Sequence, residues 1–249
     1  MKIAIISDIH SNLEALESVI DDIKTIAVDK IMSLGDNIGY GADPEQVINT
    51  IQNNNIVSVL GNHEYACLED DYLLTFNKNA KKALLINKSR LSLNSLLYIS
   101  NLKEFSVQYE CRFVHGLPPE PVTKYVWHES KKELASIINS IPERISFVGH
   151  THHLGLYEYC DGQVKTIELE KTKLCLDKNS SYIVNTGSVG QPRGFGIKAE
   201  YIIWNSEKRT IEPRYVEYDN KKAAKKIIQA GIPDIYSERI EKGNPFRRS

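Results

Sequence analysis

Eight residues of this 249-residue chain, Asp8, His10, Asp36, Asn62, His63, His115, His150 and His152, have side chains that could hold metal ions or move protons and share one kind of place in the sequence. All of them lie just past short apolar runs. Asp8-Ile9-His10 follows Lys2 to Ser7, Gly35-Asp36 follows Ile31 to Leu34, and Gly61-Asn62-His63 follows Ile56 to Leu60. His115 follows Cys111 to Val114, and His150-Thr151-His152 follows Ile145 to Val148. Runs of this length and apolar content predict strands. In open α/β sheets, ligands bind beyond the carboxyl ends of the strands. One histidine in such a place is ordinarily a packed or surface residue, but here five of the seven histidines follow predicted strands. Imidazole, carboxylate and amide oxygen without thiolate suit Mn²⁺, Fe, Zn²⁺, Co²⁺ or Ni²⁺. The donors suffice for two ions, and a pair about 3.5–4 Å apart stabilises attacking and leaving oxygens in displacement at phosphorus.

The elements that must position these groups alternate at first between strand and helix. Behind Ser11-Asn12-Leu13-Glu14, which reads as a capping box, Leu13, Leu16, Val19, Ile20 and Ile23 fall at helical spacing. Asp43-Pro44 starts a second helix through about Asn53. The βαβαβ order implies right-handed crossovers and a parallel sheet with helices on one face. Residues 64–100 are expected to be mostly helical, an insertion within a single domain spanning 1–249. Strands return at Phe105 to Tyr109 and Cys111 to Val114, and a helix near Glu129 to Asn139 leads to Ile145 to Val148. From Gly155 to Tyr218 the pattern alternates as in antiparallel strands, with hairpins at Asp161-Gly162 and between Tyr201–Trp204 and Thr210–Tyr218. The tail from Lys221 is expected to be helical and then to fray.

Composition narrows the class. Apolar residues make up 41% and charged residues 25%, and the formal charge is −1. That balance fits a folded globular protein and argues against a nucleic-acid coat or a membrane-surface protein. The early run Ile3 to Ile6 is too short for a signal-peptide core, and no stretch is long enough to span a membrane. The four cysteines are scattered, without a C-x-x-C pair, as in a reducing, cytoplasmic compartment.

In these blocks the sequence resembles the calcineurin-like metallophosphoesterases. The family's ordered string D-x-H, G-D, G-N-H-D/E, a lone H and G-H-x-H is matched by Asp8-Ile9-His10, Gly35-Asp36, Gly61-Asn62-His63-Glu64, His115 and Gly149-His150-Thr151-His152. The resemblance implies an α/β fold in which a two-sheet β-sandwich is flanked by helices, in four layers αββα. It implies one metal on Asp8, His10, Asp36 and His152, and a second on Asp36, Asn62, His115 and His150, with Asp36 bridging. His63 is implied to be catalytic, outside the ligand set, and to assist the leaving group. Asp36 to Gly41 and Asn185 to Arg193 look like loops of the small bacterial and archaeal phosphodiesterase branch, some of whose members hydrolyse dinucleotide polyphosphates. The family's protein phosphatases carry G-D-x-x-D-R-G, and Gly39-Tyr40-Gly41 stands there instead.

The expected activity is therefore hydrolysis of small phosphodiesters or dinucleotide polyphosphates by metal-activated hydroxide. Two divalent transition-metal ions would serve, manganese first and Fe, Zn, Ni or Co as alternatives. The partner is a small phosphorylated substrate, a nucleotide among the candidates, with neither membrane nor nucleic acid. A catalytically weak scaffold of the same fold and a nuclease are the rivals. Retention of His63 favours an enzyme, and the absence of a basic excess disfavours a nuclease. Arg193 is a candidate phosphate clamp. Tyr40, Tyr65, Tyr125 and Trp127 are candidates for packing or for stacking on a base. Lys221, Lys222, Lys225 and Lys226 read as an exposed helix face.

Overall fold

The computed structural model describes all residues except 127–128, 170–171, 195 and 244–249. Twelve strands among them form two six-stranded sheets. At the centre of the first is β1 (Lys2–Ile6), parallel to β2 (Lys30–Ser33), which is itself parallel to the short β3 (Val57–Ser58). The other side of β1 pairs antiparallel with β11 (Ala199–Asn205), followed by β12 (Thr210–Val216) and β9 (Leu174–Cys175). The second sheet runs β4 (Phe105–Gln108), β5 (Cys111–Val114), β6 (Ile145–Val148), β10 (Ser181–Thr186), β7 (Leu154–Cys160) and β8 (Gln163–Ile167).

Alternation along the strands builds the layers. Ile3 and Ile5 face the second sheet and pack with Phe113, Phe147, Val184 and Trp204 in the inter-sheet core. Ala4 and Ile6 point the other way, onto Leu16, Val19 and Ile23 of α1 (Leu13–Ile26) and Val47 and Ile51 of α2 (Pro44–Asn53). Leu134 and Ile138 of α7 (Lys131–Ser140) cover Val114, Val148 and Ile183 on the far face. The order is helix, sheet, sheet, helix, as expected. Between the halves, four helices fill the span 62–100: α3 (Asn62–Leu68), α4 (Asp70–Leu73), α5 (Lys78–Lys88) and α6 (Leu93–Ser100). Two more, α8 (Asn220–Gln229) and α9 (Ile235–Lys242), close the described chain. No helix among the described residues is long and apolar enough to cross a membrane.

Four local expectations are corrected. The parallel and antiparallel halves are not segregated, because β10 joins β6 in parallel and β11 joins β1. Both β10 and β11 are buried almost throughout, since each is interior to its sheet and covered on both faces, so their side chains do not alternate between core and water. The cap of α1 is Asn12, whose side chain accepts from the Ala15 N–H, because Ser11 adopts φ 54° and its hydroxyl donates to Asn87. The lysines of α8 are not all solvated: Lys226 pairs with Glu14 at 2.6 Å and Asp43 at 2.8 Å, and Lys222 pairs with Glu14 at 3.2 Å. The expected fraying of the tail falls on 244–249, outside the described residues.

Glu200 on β11 is 2% exposed, and its Oε2 has no hydrogen-bond partner. Burial pushes its carboxyl up to about 8. An acid whose folded pKa is raised folds without penalty below its unfolded value of 4.5 and loses stability as the pH climbs toward 8. Glu200→Gln is therefore expected to gain about 2–4 kcal/mol relative to the parent between pH 5 and pH 8, read from urea midpoints at the two pH values. A pH-independent difference would refute it.

Candidate metal centre

The residues after β1, β2 and β6 must turn sharply back over the sheet edge, and the backbone does so in the left-handed region. Asp8, His10, Asp36, His150 and His152 have φ of 53°, 50°, 53°, 68° and 60°. Such conformations disfavour side chains, and cross-strand bonds fix them. Asp8 N–H donates to Gly35 O, His10 N–H to Asp36 O, and Gly190 N–H to Asp8 O. His150 N–H, from the other sheet, donates to Asp8 Oδ2 at 3.1 Å. Packing is tight enough that a Cβ on Gly149 would lie 2.0 Å from Ser7 Oγ.

Glu64 is the hidden anchor. Its buried carboxylate accepts from the N–H groups of Asp36 (2.8 Å), Asn37 (2.7 Å), Ile38 (3.2 Å) and Gly61 (3.1 Å). Burial and the adjacent Asp36 charge push its carboxyl up to about 7, while those four donors favour the ionised form. One side chain thus ties the loop after β2 to the loop after β3. Asn87 of α5 ties the other flank, accepting from Gly39 N–H and donating to Gly41 O.

All eight polar residues singled out by the sequence converge. Asp36 Oδ2 lies 3.7 Å from His10 Nε2, 3.4 Å from His115 Nε2 and 4.0 Å from His63 Nε2. Asp8 Oδ1 lies 3.2 Å from His152 Nε2 and 3.7 Å from His10 Nε2. His115 Nε2 is 3.0 Å from Asn62 Oδ1 and 3.1 Å from His150 Nδ1, and His10 Nε2 is 3.0 Å from His152 Nε2. The opposite ring nitrogens of the same histidines face main-chain carbonyls: Ile38 O for His10, Leu34 O for His115, Gln191 O for His152 and Thr123 O for His150. In the neutral imidazoles, donation to those carbonyls leaves each inward nitrogen with a lone pair, the arrangement by which proteins orient metal-binding imidazoles. Two inward nitrogens 3.0 Å apart, beside an Asp8 Oδ1 without a hydrogen-bond partner, form a set of donors that a cation would satisfy. The donor set therefore fits metal ions. Three groups could each hold one: Asp8 with His10 and His152, Asp36 with His115 and His150, and His10 with Asp36 and His63.

Electrostatics agree. Burial opposes ionisation of Asp36, but His115, His63 and His10 hold it well below the usual carboxylate range. Burial works against protonation of His115 too, yet Asp36 pushes it up to about 9. Burial holds His10, His150 and His152 well below the usual histidine range and His63 at about 4. Arg193 N–H donates to His152 O at 3.2 Å, and the Arg193 charge acts on His10, His63 and His152. Of the candidate base-stacking aromatics, Tyr40 packs on His10 and His63 at 4.3 and 4.5 Å, and Tyr125 stacks on His150 at 3.6 Å. Tyr65 packs on Tyr72 at 5.0 Å, and Trp127 lies outside the described residues. Sequence reasoning missed the anchoring role of Glu64, although it stands inside the third motif.

A nest of carboxylates and imidazoles at the strand ends of an αββα sandwich defines a metal-dependent phosphoric ester hydrolase. The chain belongs to the calcineurin-like phosphoesterase superfamily, whose domain matches residues 1–209. It is 36% identical over 242 residues to an uncharacterized protein of Methanocaldococcus jannaschii, covering 96% of both chains. The crystal structure of a metallophosphoesterase from Sphaerobacter thermophilus is similar with a TM-score of 0.85 and 29% identity, covering 98% of this chain and 100% of that one. A hypothetical protein of Pyrococcus horikoshii shares the fold, with a TM-score of 0.81, 18% identity and 98% coverage of both chains.

Glu64→Gln would present amide hydrogens to backbone N–H groups. It is expected to cost about 2–5 kcal/mol of unfolding free energy, measured by urea denaturation of the metal-free protein. A change within 0.5 kcal/mol, roughly the scatter of neutral surface substitutions, would show that Glu64 is not the anchor.

Proposed function

We propose that this protein hydrolyses small phosphodiesters or dinucleotide polyphosphates at a binuclear centre. One ion would sit on Asp8, His10, Asp36 and His152, the other on Asp36, Asn62, His115 and His150, with manganese the favoured metal. The observation that carries this is Asp36 Oδ2, which faces His10 from one group of donors and His115 from the other. When bound, the ions supply Lewis acidity, lowering the pKa of water and neutralising charge on phosphoryl oxygens. Asp8 and Asp36 contribute the negative charge that holds them, and the carbonyl-tied imidazoles fix their places. His63, kept neutral at pH 7 by burial, gives a hydrogen bond to the leaving oxygen. Arg193 takes a phosphate oxygen with its guanidinium. The loops Asp36 to Gly41 and Asn185 to Arg193, similar to those of small phosphodiesterases, support the substrate class.

Asp36→Asn is expected to lower the content of both metals by elemental analysis, and chelation of the parent to abolish turnover. His63→Ala should keep its metal and lose roughly 10²–10⁴-fold in turnover, most for poor leaving groups. Loss of metal in His63→Ala would place His63 among the ligands instead, as the third donor group allows.

At saturating Mn²⁺, p-nitrophenyl phosphodiesters and dinucleotide polyphosphates should show higher kcat/KM than phosphomonoesters. Arg193→Ala should raise KM or lower turnover with metal content unchanged. Preference for phosphomonoesters would overturn the substrate class.

A further inference from the structure

The family match ends at residue 209, yet the chain continues into a helix that reaches the metal centre. Tyr236, at the start of α9, stacks on Tyr40 with ring centroids 4.4 Å apart, and Tyr40 in turn packs on His10 and His63. Gln191 lies in the same seam: its carbonyl faces His152 Nδ1, and its side chain donates to Tyr236 O at 3.5 Å. One turn on from Tyr236, Arg239 places its guanidinium carbon 5.6 Å from the centre of the Tyr236 ring.

Arg239 and Arg193 differ from the other half-buried arginines, of which Arg209 donates to the carbonyls of Leu176 and Asp177. Arg214 grips Asp22 at 2.8 Å and Arg112 grips Glu143 at 2.9 Å. Among the described residues, no carboxylate lies within ion-pair distance of Arg239 or Arg193, and the Nε of each is buried without a hydrogen-bond partner. The two guanidinium groups also feel each other: burial and the Arg193 charge hold Arg239 below the usual arginine range. Both charges act on His152 and Tyr40. Arg193, bonded through its main-chain N–H to His152 O, and Arg239, seated on the Tyr236–Tyr40 stack, thus both approach the cluster with a buried, unused Nε donor, and a guanidinium fork matches phosphate oxygens.

We infer that Arg239 and Arg193 form a second anion subsite beside the metal cluster, which takes a phosphoryl group adjacent to the one that reacts. This rests on phosphoester hydrolysis at the Asp36 cluster. It gives the tail helix a role in substrate choice: a phosphoanhydride chain spans both places, whereas a lone phosphodiester fills one.

The test compares parent, Arg239→Gln and Lys242→Gln, the last removing an exposed cation from the same helix. The readout is the ratio of kcat/KM for diadenosine tetraphosphate over bis(p-nitrophenyl) phosphate. Arg239→Gln should lower that ratio about tenfold or more, mainly through KM, and Lys242→Gln should leave it unchanged. Should Arg239→Gln fold poorly, Arg239→Met keeps an apolar stem against Tyr236 and should lower the ratio equally. Calorimetric titration of the metal-free protein should show inorganic pyrophosphate bound about tenfold more weakly by Arg239→Gln, with a smaller change for inorganic phosphate. Equal loss on both substrates, or an unchanged ratio with unchanged pyrophosphate affinity, overturns the inference. If the parent hydrolyses neither substrate, the functional reading falls and the pyrophosphate titration alone decides the subsite.

Discussion

Five of the seven proposed metal-binding residues occupy left-handed backbone conformations, and the site depends on that constraint. A strand that simply continued would carry Asp8 or His150 past the sheet edge. A left-handed residue at the strand end swings the side chain back over it. Each such residue costs about 1–2 kcal/mol, so the turns persist only because their surroundings hold them. The hydrogen bonds from Asp8 to Gly35, from His10 to Asp36 and from His150 to Asp8 make each strained loop the support of another. The inter-sheet core around Phe113, Phe147 and Trp204 supplies the rigid floor below.

The same economy governs charge. Main-chain carbonyls orient four of the imidazoles, so no side-chain carboxylate is used to position them. The negative charge at the centre therefore comes from Asp8 and Asp36, while Glu64 stands behind Asp36 and faces only backbone donors. The Glu64 charge is spent on loop geometry and the Asp36 charge on the cluster, although the two carboxylates are neighbours.

Much of this was legible in the sequence because it is local. The run Lys2 to Ser7 ends at Asp8, and the dependence of helices on 3.6-residue spacing sets α1 and α2; short-range chemistry decides both. What was not legible depends on partners far along the chain. Nothing near Tyr201 shows that β11 lies against β1, and its continuous burial follows from that pairing. Ser11 has the composition of a helix cap, but the loop geometry beside His10 gives that part to Asn12. Glu64 was visible as a motif residue, but its role depends on where the loop after β2 passes. Arg239 carried no local signal, because its significance is the Tyr40–Tyr236 stack that brings α9 to the site.

The pairing of Ile3 with Trp204 bears on how the protein is made. On the ribosome, the isoleucine-rich first strand emerges early, while its partner on one side follows about 200 residues later. At about 5–20 residues per second, that is on the order of 10–40 s during which β1 presents an unpaired, apolar edge, the kind of surface that templates association between nascent chains. His150 and His152 emerge late in that interval, so the polar groups of the first strand must wait for them. A polypeptide released short of β11 would bear all seven proposed metal-binding residues without the strand that pairs with β1 and completes the first sheet.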